Sequence, residues 1–284
     1  MADMAALDRP ASAGAAAPIL EVLGVTKRFG TGPASITAVD DVTFDLRPGE
    51  FVSIIGPSGC GKSTLFGMVG GLVDGWQGRI RIDGIEIRPG TTHRHIGMVF
   101  QEESTFPWRT VIENVALPLE AQAMPKSERL DRARHFIGLV GLTGFERRFP
   151  HEISGGMRQR TAIARTLAYT PRILMMDEPF GALDEQTRFL LGDTVLRIQQ
   201  ELGQTILLIT HSIAEAVQLS DRVLVMTYRP GRLKRFVDVD LPRPRSSEDV
   251  GDPRFGRLVA EIWGDLREEA SRGLRESEQP GKGG

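Results

Sequence analysis

The chain carries one cysteine, two tyrosines and three tryptophans in 284 positions, and aromatic residues make up only 6% of it. A single cysteine excludes an intrachain disulfide and fits a reducing compartment. An excess of either charge is also missing: 35 Lys and Arg stand against 37 Asp and Glu, a formal net charge of -2. That balance gives no electrostatic case for nucleic acid as a partner. No apolar run approaches the ~20 residues that a membrane helix needs. The opening MADMAALDRPASAGAAAP places acids, Arg9 and two prolines where a secretory leader needs a basic start and an apolar core. A cytoplasmic chain is expected, with any membrane role exercised through a partner.

What is present is the composition of an ordinary globular protein, 40% hydrophobic and 25% charged. The length allows one sizeable core and a smaller subdomain. Residues 1 to about 18 are Ala/Pro-rich and read as disordered, with little to bury. From Ile19 short β-like runs begin, ILEVLGVTKRFG, ITAVDDVTFDLRPGE and then FVSIIG, the last a strand apolar on both faces. GRIRIDGIEI reads as two short strands about the turn Asp83-Gly84. Between about 101 and 170 the pattern becomes helical, interrupted by prolines at 107, 118, 125 and 150. In SERLDRARHFIGLVGL, residues Leu130, Ala133, Phe136, Ile137 and Val140 recur at helical spacing. Strands then return in RILMMDEP, TILLITHS and RVLVMTYRPGRL, alternating with amphipathic helices, which predicts βαβ units and a mostly parallel sheet. The tail PRFGRLVAEIWGDLREEASR places Phe255, Leu258, Val259, Ile262, Trp263 and Leu266 on one helical stripe. That stripe predicts packing on the body, with partner docking as the alternative.

Residues 56 to 64, GPSGCGKST, fit G-x-x-x-x-G-K-[ST] between a strand and a helix. Chance would produce such a match roughly once in a hundred chains of this length. Gly56, Pro57, Ser58, Gly59, Cys60, Gly61 and Thr64 supply a backbone that wraps phosphates with inward N–H groups. The helix N-terminus adds its positive dipole end. Lys62 supplies a point charge, and Ser63 a hydroxyl for Mg²⁺. Cys60 reads as a small residue at a permissive position, so a bulky thiol reagent there is expected to block nucleotide binding. RILMMDEP is an apolar strand ending in Asp177, suited to hold Mg²⁺, and Glu178, suited to act as a general base. TILLITHS repeats the design with His211. Glu178 and His211 together favour hydrolysis over nucleotide storage. Kinases, motor-type and recombination-type ATPases remain open on these motifs alone.

ISGGMRQR, at 153 to 160, narrows the choice. In order, GPSGCGKST, VFQE, ISGGMRQR, LMMDEP, GALD and ITHS resemble the complete motif set of the ABC-type ATPase cassette, over about residues 19 to 235. The resemblance implies an α/β P-loop NTPase fold (ABC ATPase) with a mostly parallel core sheet, an antiparallel β subdomain and an inserted helical subdomain. The expected boundaries are 19–245 for the ATPase domain, with the helical subdomain at about 101–170, and 246–284 for a C-terminal helix and frayed tail. Gln101 corresponds to the residue that links the nucleotide site to the helical subdomain and touches the metal. Asp184 corresponds to the cross-dimer loop aspartate. Phe29 corresponds to the aromatic that stacks on adenine, with an ordinary core residue as the alternative.

A homodimer would sandwich two Mg·ATP, with Ser154, Gly155 and Gly156 of one chain closing over the nucleotide of the other. The signature departs from its commonest form at Ile153 and Met157, where leucine and glutamine are usual; Ser154 and the two glycine backbones remain. FQEESTFPWRTVIENVALPLE, MDEPFGALDEQTR and VDLPRPRS further resemble the ATPase subunits of nitrate/sulfonate/taurine-type importers. That likeness implies a peripheral protein on the cytoplasmic membrane face, docked to transmembrane permease subunits near Phe106, Pro107 and Trp108. A solute-binding protein would act indirectly. Packing of Phe106 and Trp108 inside the helical subdomain is the alternative. An importer of pyrimidine precursors and a soluble ABC-type ATPase are the rival functions.

Overall fold

A computed structural model describes residues 17–101 and 104–277. The expected disordered segment, through residue 16, and Glu102 of VFQE lie outside the described residues. Chain order is β1 (Leu20–Phe29), β2 (Ile36–Leu46), β3 (Phe51–Ile55), α1 (Lys62–Val69), β4 (Trp76–Ile82), β5 (Ile85–Glu86) and β6 (Ile96–Val99). Three helices follow, α2 (Val111–Ala121), α3 (Lys126–Leu139) and α4 (Gly155–Ala168). The chain then runs through β7 (Ile173–Asp177), α5 (Glu185–Leu202), β8 (Thr205–Ile209), α6 (Ile213–Leu219), β9 (Arg222–Met226), β10 (Leu233–Asp238) and α7 (Pro253–Ser277).

Two sheets form the body. The six-stranded sheet has the order β10-β9-β3-β8-β7-β6, parallel except for β10. Its central strands β3, β8 and β9 are buried at every residue, as continuous apolar runs require when both faces are covered. The four-stranded sheet β2-β1-β4-β5 is antiparallel and closes one core with α1, where Leu20, Val22, Leu46, Leu65 and Met68 are all at most 1% exposed. A second core joins the opposite sheet face to α2, α3, α4 and α5 through Val115, Ile137, Ile163 and Met176. A third packs Phe255, Leu258, Ile262 and Leu266 of α7 against α6, β9 and β10.

Helix starts follow their sequence signals. Asp184 caps α5 by accepting from Thr187 N at 2.9 Å, and Thr110 with Glu113 forms a capping box on α2. Two expectations are corrected. Pro118 does not break a helix but lies inside α2. It falls in the last turn, where one backbone bond is lost, while Val111, Val115 and Leu119 bury the same face. Trp263 leaves the α7 stripe and is 57% exposed, because the stripe that packs is Phe255, Leu258, Ile262 and Leu266 with Val259 at its side. The VDLPRPRS segment is stapled down by two arginines. Arg243 Nη2 reaches Asp221 Oδ1 at 2.7 Å. Buried Arg245 donates to the carbonyls of Ser220, Val239 and Leu241.

Candidate functional site

Parallel strands bring their C-terminal ends to one edge, and there the predicted residues converge. Residues 56 to 61 connect β3 to α1 and wrap the helix N-terminus. Gly61 stands at φ 98°, and a Cβ there would lie 2.5 Å from the Ala38 carbonyl oxygen, so the loop can run this close to β2 only as glycine. Lys62 is 7% exposed, and its Nζ donates to the Gly56 and Pro57 carbonyls at 2.8 and 3.0 Å. The ammonium is thereby held inside the curl of the loop. A cavity of about 420 Å³ opens above, lined by Gly59, Lys62, Ser63 and Glu178 together with Ile36 and Arg229. A larger groove of about 920 Å³ lies elsewhere, on the helical subdomain around Trp108, Glu113 and Arg134. It holds no phosphate loop, so the smaller cavity is the candidate site.

Asp177 ends β7 beside the cradle. Burial pushes its pKa above the ordinary carboxylate value, with the neighbouring Ser63 hydroxyl acting in the opposite direction. Its Oδ1 is buried with no hydrogen-bond partner. Such an oxygen is costly unless a hydrogen-bond donor or a cation meets it. Glu178 follows at φ 45°, a left-handed backbone pinned by its N–H donating to the Ile209 carbonyl at 2.8 Å. Its Oε2 lies 3.1 Å from His211 Nδ1. Gln101 reaches the same corner: its Nε2 and Glu178 Oε2 lie 3.5 and 3.9 Å from where a Cβ on Gly181 would sit.

Other predicted residues stand apart. Ser154 caps α4, its Oγ accepting from Met157 N at 3.3 Å. Gly156 packs toward Thr187, whose methyl would lie 3.2 Å from an added Cβ. Ser154, Gly155 and Gly156 do not line the cavity of their own chain. Met157 is half-buried against the helical core, so its side chain serves packing and leaves the helix start to Ser154 and the glycines. Arg158 Nη1 donates to the Ile153 carbonyl at 2.9 Å, tying MRQR back onto its own entry turn. Asp184 is occupied locally, with the Thr187 backbone holding its carboxyl below the usual range. Phe29 is 46% exposed at the end of β1, opposite Ile36 in register, which removes the core alternative. Lys27 Nζ sits 4.7 Å from the centroid of its ring.

Cys60 overturns an expectation. Its side chain is wholly buried, and burial raises the thiol pKa. A Cβ on Gly56 would lie 2.8 Å from its Sγ, so the thiol is packed beneath the loop and does not line the site. The native chain is therefore expected to resist a bulky disulfide reagent and to react fully once unfolded in guanidinium. Rapid stoichiometric labelling of the native chain would contradict this burial. Arg229, Ile36 and Ala38 were missed by sequence reading, since nothing local marks a residue on β2 or after β9 as part of a phosphate cavity.

The ABC transporter family profile matches residues 39–181. The chain is 44% identical over 250 residues to the nitrate transport protein NasD of Klebsiella oxytoca, covering 86% of this chain and 95% of that one. It is 42% identical over 223 residues to the aliphatic sulfonates import ATP-binding protein SsuB of Bacillus cereus, covering 78% and 87%. A dimeric ATP-binding cassette, solved in a post-hydrolysis state with ADP and Pi, superposes with a TM-score of 0.68 at 33% identity, covering 78% of this chain and all of that one. The motif order, the sheet that gathers the motifs at one edge and these likenesses agree: the chain belongs to the ABC transporter family and has the fold of its ATPase cassette.

Proposed function

We propose that this chain is the ATP-hydrolysing subunit of an importer for small anions of the nitrate, sulfonate and taurine type, working as a homodimer on the cytoplasmic face of the membrane. The observation that carries the hydrolytic reading is the Glu178–His211 pair at 3.1 Å, set beside the phosphate loop. ATP phosphates fit the loop amides and Lys62. Water attacks the γ-phosphorus, its proton passes to Glu178, and the bond to the β-phosphate oxygen breaks to give ADP and phosphate. His211 orients Glu178 and the attacking water. Ser154, Gly155 and Gly156 of a second copy, with Asp184 at the crossing loop, complete the site over the γ-phosphate. Phe29 offers its exposed ring to adenine.

The residues present also fit Mg²⁺: the orphaned Oδ1 of Asp177, the Ser63 hydroxyl and the Gln101 amide form a hard-oxygen set. Bound there, the ion would neutralise phosphate charge.

Among the described residues no helix is long and apolar enough to cross a membrane, so the transport path is assigned to separate permease subunits. Phe106 and Trp108 pack with ring centroids 5.4 Å apart, and Trp108 is 70% exposed. An apolar groove of about 400 Å³ beside them, lined by Met98, Phe100, Leu117 and Tyr169, suits a helix from those subunits. The names of relatives that handle nitrate and aliphatic sulfonates support the substrate class. Reconstituted in vesicles with permease subunits and a solute-binding protein of a nitrate or alkanesulfonate importer, the chain is expected to drive MgATP-dependent uptake of that solute. Trp108→Ala is expected to cut that uptake by releasing the chain from the membrane subunits. Hydrolysis indifferent to those subunits, with no uptake of either solute, would move the reading to a soluble ATPase.

A further inference from the structure

The proposed mechanism uses Lys62, Asp177, Glu178 and His211 but leaves one cation at the cradle without a role. Arg229 sits in the turn between β9 and β10. Its Nε donates to the Gly59 carbonyl at 3.0 Å. A Cβ on Gly59 would lie 2.8 Å from Nη2, so the guanidinium rests directly on the apex of the phosphate loop. It lines the same cavity as Lys62, Ser63 and Glu178. A guanidinium carries five donors in a planar fork, and among the described residues its hydrogen bonding is confined to Gly59, with no carboxylate in salt-bridge reach.

The turn that carries Arg229 is fixed from behind by α7. Tyr228 N–H donates to Glu269 Oε2 at 3.0 Å. A Cβ on Gly273 would lie 2.8 Å from the Tyr228 ring, which places that ring flush on the helix. Lys234 on β10 adds a contact from Nζ to Glu269 Oε1 at 3.0 Å. On the opposite side Gly231 N donates to the Ala38 carbonyl at 3.0 Å. The arginine therefore stands on a braced support and lines the cavity that Lys62 also lines, with its Cζ 6.0 Å from the Tyr228 ring centroid.

We propose that Arg229 is a second cationic contact for the nucleotide phosphates, presented over Gly59 by a turn that α7 holds in place. The inference rests on phosphates occupying the cradle. It extends that reading to a residue outside the loop, the acidic strand end and the histidine. A planar fork of charged donors suits a polyanion, and the shorter, neutral amide of glutamine does not replace it.

The test is calorimetric titration of wild type and Arg229→Gln with MgATP and, separately, with inorganic tripolyphosphate, at low salt and at about 1 M salt. Arg229→Gln is expected to bind both about tenfold more weakly at low salt. The gap is expected to close to within about twofold at high salt, where the screening length falls to roughly 3 Å. Affinities equal to wild type at low salt would overturn the proposal. A gap that persists unchanged at high salt would also overturn it, since that is the behaviour of a brace on the loop and not of a phosphate contact. Lys62→Ala run in parallel separates the two levels. If it binds both ligands like wild type, the phosphate reading and the Arg229 contact fall together. If it loses both while Arg229→Gln keeps them, only the Arg229 contact falls.

Discussion

Glu178→Gln is expected to keep MgATP bound while its hydrolysis rate falls by a factor of about 10³. The substitution preserves the size and shape of the side chain, so the backbone at φ 45° and its bond to the Ile209 carbonyl are undisturbed. What it removes is the proton acceptor. In the native chain Glu178 Oε2 faces His211 Nδ1 at 3.1 Å and opens on the cavity beside Ser63. A neutral amide there cannot take a proton from water, and it also removes a negative charge from beside the phosphates, so affinity should hold or rise. Single-turnover hydrolysis, measured alongside equilibrium binding, checks both halves. Hydrolysis at the wild-type rate would remove Glu178 from the role of base.

Gly231→Ala is expected to be the most damaging conservative change outside the recognised motifs. An added Cβ would lie 1.9 Å from the Cys60 carbonyl oxygen and 2.8 Å from Met226 Cε. The oxygen is backbone and cannot rotate away. The turn cannot retreat either, because Gly231 N donates to Ala38 and Gly231 O accepts from Asp40 N, both at 3.0 Å. Relief has to come from displacing the phosphate loop itself. An overpacking cost of about 3 kcal/mol would lower the midpoint of thermal unfolding by roughly 6–12 °C. Affinity for MgATP should fall with it, since Cys60 lies within the stretch whose amides cradle the phosphates. A variant with wild-type melting and affinity would show that the contact between turn and loop can give way without consequence.

These two variants also mark how far the sequence could be read. Glu178, Lys62 and His211 were legible because each motif couples a strand of continuous apolar residues to the polar residues at its end. A parallel sheet then brings such ends to one edge. Local pattern therefore carried long-range geometry. ISGGMRQR was legible on a different ground, as a helix start with a serine cap. Gly231 was not, because RPGRL looks like any hairpin turn, and its partner Cys60 lies about 170 positions earlier. Arg229 was hidden likewise, since its contact with Gly59 exists only once β9 lies beside β3.

Errors arose where burial decided the outcome. Cys60 sits in a glycine-rich loop that reads as open, yet its side chain drops into the core shared with Leu65 and Met226. Trp263 fits the helical stripe by spacing, but the groove formed by α6, β9 and β10 takes Phe255, Leu258, Val259, Ile262 and Leu266 and leaves it out. Pro118 reads as a breaker, but packing of α2 against α3 and α4 keeps the helix intact through it. In each case tertiary packing overrode a local rule.

We propose that the catalytic site is shared between two copies, with Ser154 and the two glycines serving a nucleotide held by the partner. Light scattering of Glu178→Gln with MgATP tests it most directly, since ATP stays bound and hydrolysis cannot release the pair. The mass is expected to double from 31.2 kDa when MgATP is added, and to stay at the single-chain value when Ser154→Arg is also present. A 31.2 kDa species that persists with MgATP bound to Glu178→Gln would contradict the shared site.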